Sequence, residues 1–201
     1  MKRSLLVIAL LCGLSSPVVQ ADERTDAEYD RLMDEINNFS ERQLWKGVEK
    51  SYEELLALNG VEVPFEAHMA AAQSARSVGD MGACLSRLLR AQSLQRTEEL
   101  DSWIMEINQT YGRVQLVVTP PRPVEMTPAQ MPFAPDQRLA VELAQKSLRE
   151  DGVFIGMLPV GDYNIAGREF DVTQGVGTQI ELSAKELRNE KKKKSKPADA
   201  E

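Results

Sequence analysis

Apolar residues recur at three- and four-residue spacing through the first half of the chain, which is the pattern of amphipathic helices. Two such stripes occupy residues 29–39 and 44–56. Ser40 stands between them as a candidate cap that would end one helix and restart the next. Asn59-Gly60 follows the second stripe and is a stop signal. The pattern predicts two helices here.

Three further helices are predicted before residue 112. Pro64 precedes an alanine-rich run, Gly79-Asp80 interrupts the pattern, and Thr97 stands before the last stripe. The three helices are expected over residues 66–77, 81–95 and 97–110.

The second half changes to the two-residue alternation of strands. Residues 113–119 predict a strand, and the six prolines of 120–135 predict a loop with an edge strand around 124–126. Residues 136–150 return to helical spacing. The second half is therefore expected to be a small β-structure with one inserted helix.

The most regular stretch of the second half runs from Gly152 to Gly167. It predicts a strand, a tight turn at Pro159 to Asp162, and a second strand. Two more strands are expected at 169–173 and 178–182. Gly175-Val176-Gly177 lies between these two strands and is interpreted as a hairpin turn.

Composition adds an acidic balance to this picture. The chain of 201 residues is 42% hydrophobic and 27% charged, which is ordinary for a folded protein. Its formal net charge is −7. Nucleic-acid binding depends on neutralising phosphates, so we expect no nucleic-acid partner.

The N-terminus has the pattern of an export signal. Lys2-Arg3 precede an apolar run over residues 4–14, and small residues then lead to a cleavage position after Ala21. The run is shorter than the roughly 20 residues that a transmembrane helix requires. We therefore expect an exported chain, periplasmic or secreted, without a transmembrane span after cleavage.

Cys12 leaves a second outcome for this segment, which is lipidation. Bacterial lipoproteins usually have a small residue before the modified cysteine, and Leu11 stands at that position. A lipoprotein is therefore a minor alternative to a cleaved signal peptide.

The helical half has a family resemblance around one helix pair. Ala71, Ala72 and Ala75 are followed by a Gly79-Asp80 turn, and small and large residues then alternate at Cys84, Leu88 and Ala91. Residues 68–94 resemble one tetratricopeptide repeat, and a helical bundle without repeats stays open as the other interpretation. The resemblance implies a protein-binding groove, with Ala67, Ala71 and Ala75 as its lining.

The β-rich half carries a second resemblance. The sequence G-M-L-P-V-G-D-Y-N-I-A-G-R-E-F-D-V-T-Q-G, residues 156–175, resembles the second half of a PEGA-type domain. Residues 119–123 depart from that pattern, and the helix at 136–150 would be an insertion. The resemblance implies a β-sandwich-like binding or structural module on an exported bacterial protein, without catalytic residues to transfer.

Residues with catalytic potential are few. His68 is the one histidine and lies in the alanine-rich helix, so we interpret it as a packing or surface residue. Cys84 lies among apolar residues of a helical stripe and is expected to be buried. No histidine or cysteine spacing matches a metal site, and no glycine pattern matches a phosphate loop. We expect no cofactor, no metal and no enzymatic activity.

The C-terminal tail is strongly basic. Five lysines repel one another and have nothing apolar to bury, which predicts disorder. We interpret the tail as solubilising, with electrostatic docking to an anionic envelope polymer as the functional alternative. The lysines are Lys191, Lys192, Lys193, Lys194 and Lys196.

These observations predict an α+β protein: a helical hairpin array similar to tetratricopeptide repeats, then a small β-sandwich-like domain with an inserted helix. The expected segments are a signal peptide (1–21), a helical domain (22–110), a β-rich domain (111–184) and a charged tail (185–201).

The expected function is that of a non-enzymatic protein of a bacterial envelope, acting as a structural or protein–protein interaction module with an envelope protein as partner. The alternative is carbohydrate or peptidoglycan binding by the β-rich domain. That role would need exposed aromatic residues among Phe133, Phe154, Tyr163 and Phe170.

Overall fold

The structure, a computed structural model, describes residues 18–132, 134–183 and 185, with side chains from residue 24 onward. Helices come first and strands second, which confirms the α+β class. In chain order the elements are α1 (Val18–Glu41), α2 (Trp45–Leu56), α3 (Phe65–Ser77), α4 (Met81–Leu94), α5 (Glu98–Thr110), β1 (Tyr111–Thr119), β2 (Met126–Pro128), α6 (Pro135–Glu150), β3 (Val153–Pro159), β4 (Gly161–Ile165), β5 (Arg168–Val172) and β6 (Gly177–Ser183).

Local signals explain most helix boundaries. The Asp80 carboxylate accepts a hydrogen bond of 2.9 Å from the Ala83 amide at the start of α4, and Thr97 caps α5 in the same way. Pro135 occupies the first turn of α6, where its missing amide proton costs nothing. These helices begin within two residues of the predicted positions.

The break between α1 and α2 differs from the prediction at Ser40. Helix α1 continues through Ser40 and ends where Gln43 takes a left-handed conformation with φ 54°. The Leu44 amide then donates to the Phe39 carbonyl at 2.8 Å. A C-terminal cap of α1 therefore separates the helices, and no side chain caps the start of α2.

Consecutive helices pack against each other from α1 to α5. The first buried cluster joins α1, α2 and α3, and the second joins α3, α4 and α5. The first contains Leu32, Ile36, Val48, Tyr52, Leu55, Val63, Ala67 and Ala71.

The strands form two three-stranded sheets. Sheet A has the order β3-β1-β6, in which β1 is antiparallel to β3 and parallel to β6. Sheet B has the order β2-β4-β5 and is antiparallel throughout. Inward side chains of both sheets and of α6 share one buried cluster.

The strands around Pro159 lie as predicted, but they do not pair with each other. Strand β3 belongs to sheet A and β4 to sheet B, so the segment from Pro159 to Gly161 carries the chain from one sheet to the other. Tyr163 supports this crossing, because its hydroxyl donates to the Pro159 carbonyl at 2.8 Å.

The hairpin predicted at Gly175-Val176-Gly177 is wrong for the same reason, since β5 and β6 lie in different sheets. The tight hairpin of the β-part joins β4 to β5 through Ala166-Gly167. Both turn residues have positive φ, 49° and 80°, as in a type I′ turn. The Asn164 side chain accepts a hydrogen bond from the Gly167 amide at 2.8 Å.

The helical and β-rich parts share buried residues. Met157 of β3, Ala140 of α6 and Tyr111 of β1 belong to the same cluster as the apolar faces of α3, α4 and α5. Arg76 of α3 adds a polar contact, because its guanidinium bonds Glu106 at 2.9 Å and Asp136 at 3.0 Å. The buried packing therefore continues across the change from helix to strand at Tyr111.

Candidate functional site

A concave surface with a volume of about 760 Å³ lies between helix α4 and the outer face of sheet A. We call it the α4 groove. Its main lining residues are Leu89 and Arg90 of α4, Arg113 and Gln115 of β1, Ile155 of β3, and Gln179 of β6.

Strand register places these side chains together. Gln115 is the cross-strand neighbour of Ile155 on one side and of Gln179 on the other. Arg113 lies two positions earlier on β1, beside Met157 and Gly177. Side chains alternate between the two faces of a sheet, so Arg113, Gln115, Ile155 and Gln179 project from the outer face of sheet A. Met157 projects from the same face, but α4 covers it.

Two glycines bring α4 close to the sheet. A Cβ atom at Gly82 would lie 3.8 Å from the Gly156 Cα, so the helix backbone approaches the strand backbone without intervening side chains. Helix α4 therefore buries Met157 but leaves the next outward residue of β3, Ile155, uncovered. The groove therefore has α4 as its wall and the uncovered part of sheet A as its floor.

The groove exposes apolar surface at its rim. Ile155 is 70% exposed and Leu89 is 45% exposed, and both line the groove. Single exposed apolar residues are common, but two that line one concavity form the kind of patch that marks an interaction surface.

The charge in the groove is mainly cationic. Arg90 and Arg113 are exposed along it, and Asp80 is the one carboxylate among its lining residues. The Asp80 side chain is already used as the cap of α4. Gln115 and Gln179 add amide donors and acceptors between the two arginines and the apolar rim.

The alanines predicted to line a groove lie elsewhere. Ala67, Ala71 and Ala75 are buried in contacts between helices of this chain, so the prediction that they face a partner is wrong. Their small side chains allow close helix packing. The spacing of the alanines does not show which surface of the helices stays open.

His68 is a core residue of the helical part. Its Nδ1 lies 2.8 Å from the Tyr52 hydroxyl, and the two rings meet edge to face. Burial lowers the pKa of His68, and the positive charges of Arg90 and Arg87 lower it further. Arg87 is held in turn by an ion pair with Glu49.

Cys84 is buried, as expected. Burial raises the pKa of its thiol to about 11, so the protonated form prevails at neutral pH. Among the described residues, no group of histidine, cysteine and carboxylate side chains is arranged to hold a metal ion. No helix in the described part of the chain is long and apolar enough to cross a membrane.

The aromatic residues considered for sugar binding pack inward. Phe154, Tyr163 and Phe170 are buried, and the rings of Tyr163 and Phe170 stack with their centroids 5.5 Å apart. Phe133 lies outside the described residues. Phe154, Tyr163 and Phe170 therefore provide no exposed platform for a sugar ring.

Several predicted positions fall outside the part that the structure describes. Cys12 and the lysines of the tail are among them. Ala21, the predicted cleavage position, lies in α1, which begins at Val18, and only its backbone is described.

Sequence reasoning missed the residues of the α4 groove. One signal was present: Val153, Ile155 and Met157 alternate with Phe154 and Leu158, so both faces of β3 are apolar. A strand at the edge of a small sheet needs one apolar face for the core, and a second indicates another contact.

No family model, no curated protein and no solved structure matches this chain.

Proposed function

We propose that this chain is an exported, non-enzymatic protein of a bacterial envelope that binds another protein through the α4 groove. The observation that carries the proposal is that two exposed apolar side chains, Leu89 and Ile155, line one concave surface. Arginine and amide groups within the groove supply polar contacts, as at the rims of protein interfaces.

Two further observations favour binding over catalysis. The imidazole of His68 and the thiol of Cys84, the side chains best suited to catalysis, are both buried in the helical part. Neither lines the groove. The proposed export rests on the pattern of residues 1–21 alone.

The two family resemblances agree with the proposed binding role. Consecutive helices that pack in pairs are compatible with hairpins of the tetratricopeptide type, and two sheets around one core are compatible with a PEGA-like β-sandwich. Both families imply binding or structural roles, which agree with an interaction module.

A site-specific photo-crosslinker tests the proposed function. We would place it at Gln115, inside the groove, and at Met105 of α5, which is 55% exposed and lies outside the groove, as the matched control. Irradiation of intact cells should give a defined protein adduct from position 115 and not from position 105.

The substitution Ile155→Asp in the chain carrying the crosslinker at Gln115 should reduce the adduct about tenfold, because a carboxylate replaces the most exposed apolar side chain of the groove. Equal adducts from both positions, or none from position 115 in a folded chain, would contradict the proposal.

A further inference from the structure

We propose that the partner segment bound in the α4 groove is an extended stretch of polypeptide in which carboxylate side chains alternate with apolar ones. This inference rests on the proposed interaction role and adds the chemistry of the partner. Charge, the outward row of side chains on sheet A and the covering of one sheet edge support it.

Arg113 is an exposed cation on the outer face of sheet A. Its cross-strand neighbours are Met157 and Gly177, so neither flanking strand provides a carboxylate beside it. Within the described part of the chain Arg113 makes no ion pair, whereas Arg87, on the same helix as Arg90, is bound to Glu49. A guanidinium left exposed in a concave apolar surface is suited to a carboxylate of a partner.

The surroundings strengthen this preference. The chain as a whole carries a formal charge of −7, and the groove is a cationic area on an acidic protein. A basic partner would be attracted by most of the surface and repelled at the groove. An acidic segment would be directed to the groove, because the guanidinium of Arg113 is exposed there and makes no ion pair within the described part of the chain.

The extended conformation follows from the face of sheet A. Gln179, Gln115 and Ile155 form a row across all three strands. Two glutamine amides in that row can donate to and accept from a peptide backbone, while Ile155 contacts an apolar side chain. In an extended segment, successive side chains point to opposite sides. The apolar set would then face the apolar rim, and the carboxylate set would face the arginines.

Addition of a strand at the sheet edge is a poorer alternative. The outer edge of β6 faces β5, where Arg168 donates to the Glu181 carbonyl at 3.3 Å. On the same edge, the Thr178 hydroxyl donates to the Asp171 carbonyl at 3.2 Å. The segment that we propose is therefore held by side chains of the sheet face and not by this edge.

Two fluorescein-labelled peptides of nine residues test the inference on the purified chain. One is Gly-Asp-Leu-Asp-Val-Asp-Leu-Asp-Gly, and the other has lysine at each aspartate position. Fluorescence anisotropy should show at least about tenfold tighter binding of the acidic peptide, and added salt should weaken it.

The variant Arg113→Gln should weaken the acidic peptide about fivefold or more, and Arg90→Gln with Arg113→Gln should weaken it further. Arg138→Gln, an exposed position on α6 outside the groove, should leave the affinity unchanged. Circular dichroism of each variant would verify that it is folded.

The results separate the inference from the proposed function. Equal affinity for both peptides, no binding of the acidic peptide, or affinity unaffected by the double variant would overturn the inference. If the crosslinker at Gln115 still captures a defined protein, the interaction role survives with a partner of different chemistry. Capture of a second copy of this chain would also overturn the inference.

Discussion

His68 shows how single residues in this protein are constrained by their neighbours. Its ring is buried between α2 and α4, with the Tyr52 hydroxyl on Nδ1 and the guanidinium groups of Arg87 and Arg90 nearby. A proton on this buried ring would add a third positive charge beside Arg87 and Arg90, and the carboxylate of Glu49 is already paired with Arg87. The folded chain therefore favours the neutral imidazole.

This arrangement predicts a loss of stability in mild acid. The folded-state pKa of His68 lies below the ordinary 6.5, so the unfolded chain binds the proton more readily. The free energy of unfolding should fall as the pH drops below about 6.5 and level off below the folded-state pKa. Urea unfolding between pH 8 and pH 5 would measure it.

His68→Asn is the matched control, because an amide oxygen can replace Nδ1 as the partner of Tyr52 without titrating. The chain has no other histidine, so the variant should be nearly independent of pH in the range where His68 titrates. A wild-type chain that is more stable at pH 5.5 than at pH 7.5, relative to the variant, would contradict the prediction.

At the scale of elements, the turn between α3 and α4 fixes the helical part against α6. Gly79 in this turn has φ 83°, and a Cβ atom there would overlap the backbone of Leu139 and Ala140. Glycine is required twice at this position, once for its backbone conformation and once for its lack of a side chain.

Gly79→Ala should therefore destabilise the fold more than a glycine-to-alanine substitution that strains only the backbone conformation. Gly60→Ala is the matched control, since Gly60 has φ 77° and no atom within 4 Å of the added Cβ. We expect a loss of about 1 kcal/mol for the control and a further loss of about 1–3 kcal/mol for Gly79→Ala. Thermal or denaturant unfolding would compare them, and equal losses would show that this contact is dispensable.

The elements themselves could be predicted from the sequence, because helical stripes, caps and alternation are local signals. Thr97 gave a helix start, and the alternation around Phe170 gave a strand. Strand partners could not be predicted, because alternation determines which face is buried and not which strand lies alongside. The incorrect hairpin at Gly175-Val176-Gly177 has this cause.

The candidate site could not be predicted either, because it depends on which strands pair. Arg113, Gln115 and Ile155 become neighbours only through the pairing of β1 with β3, and α4 reaches them only because Gly82 meets Gly156. Small residues in the sequence were instead assigned to a partner groove at Ala71, where they serve packing within the chain. Burial and exposure of small residues cannot be distinguished by spacing alone.

At the scale of the whole molecule, the helical and β-rich parts are expected to unfold together. Met157 comes from β3 but is buried among residues of α3, α4 and α5. Separating the two parts would expose this cluster on both sides, and a buried contact of that kind couples their stabilities.

Met157→Ala should accordingly destabilise both parts to the same extent, by about 2–5 kcal/mol. Tryptophan fluorescence reports on the helical part, where Trp45 and Trp103 lie, and hydrogen exchange of β6 reports on the sheets. The two transitions should coincide before and after the substitution. Met131→Ala, at a half-exposed position, should have little effect, and two separate midpoints in the wild-type chain would contradict the coupling.

The parallel pairing of β1 with β6 has a consequence for the order in which the protein can be made. Strand β1 is central in sheet A, and its partner on one side, β6, is the last strand in the described part of the chain. During synthesis the helices can form early through local contacts. The backbone amide and carbonyl groups on one edge of β1 stay unpaired with β6 until residues 177–183 leave the ribosome. Closure of sheet A is therefore a late, long-range step that follows helix formation.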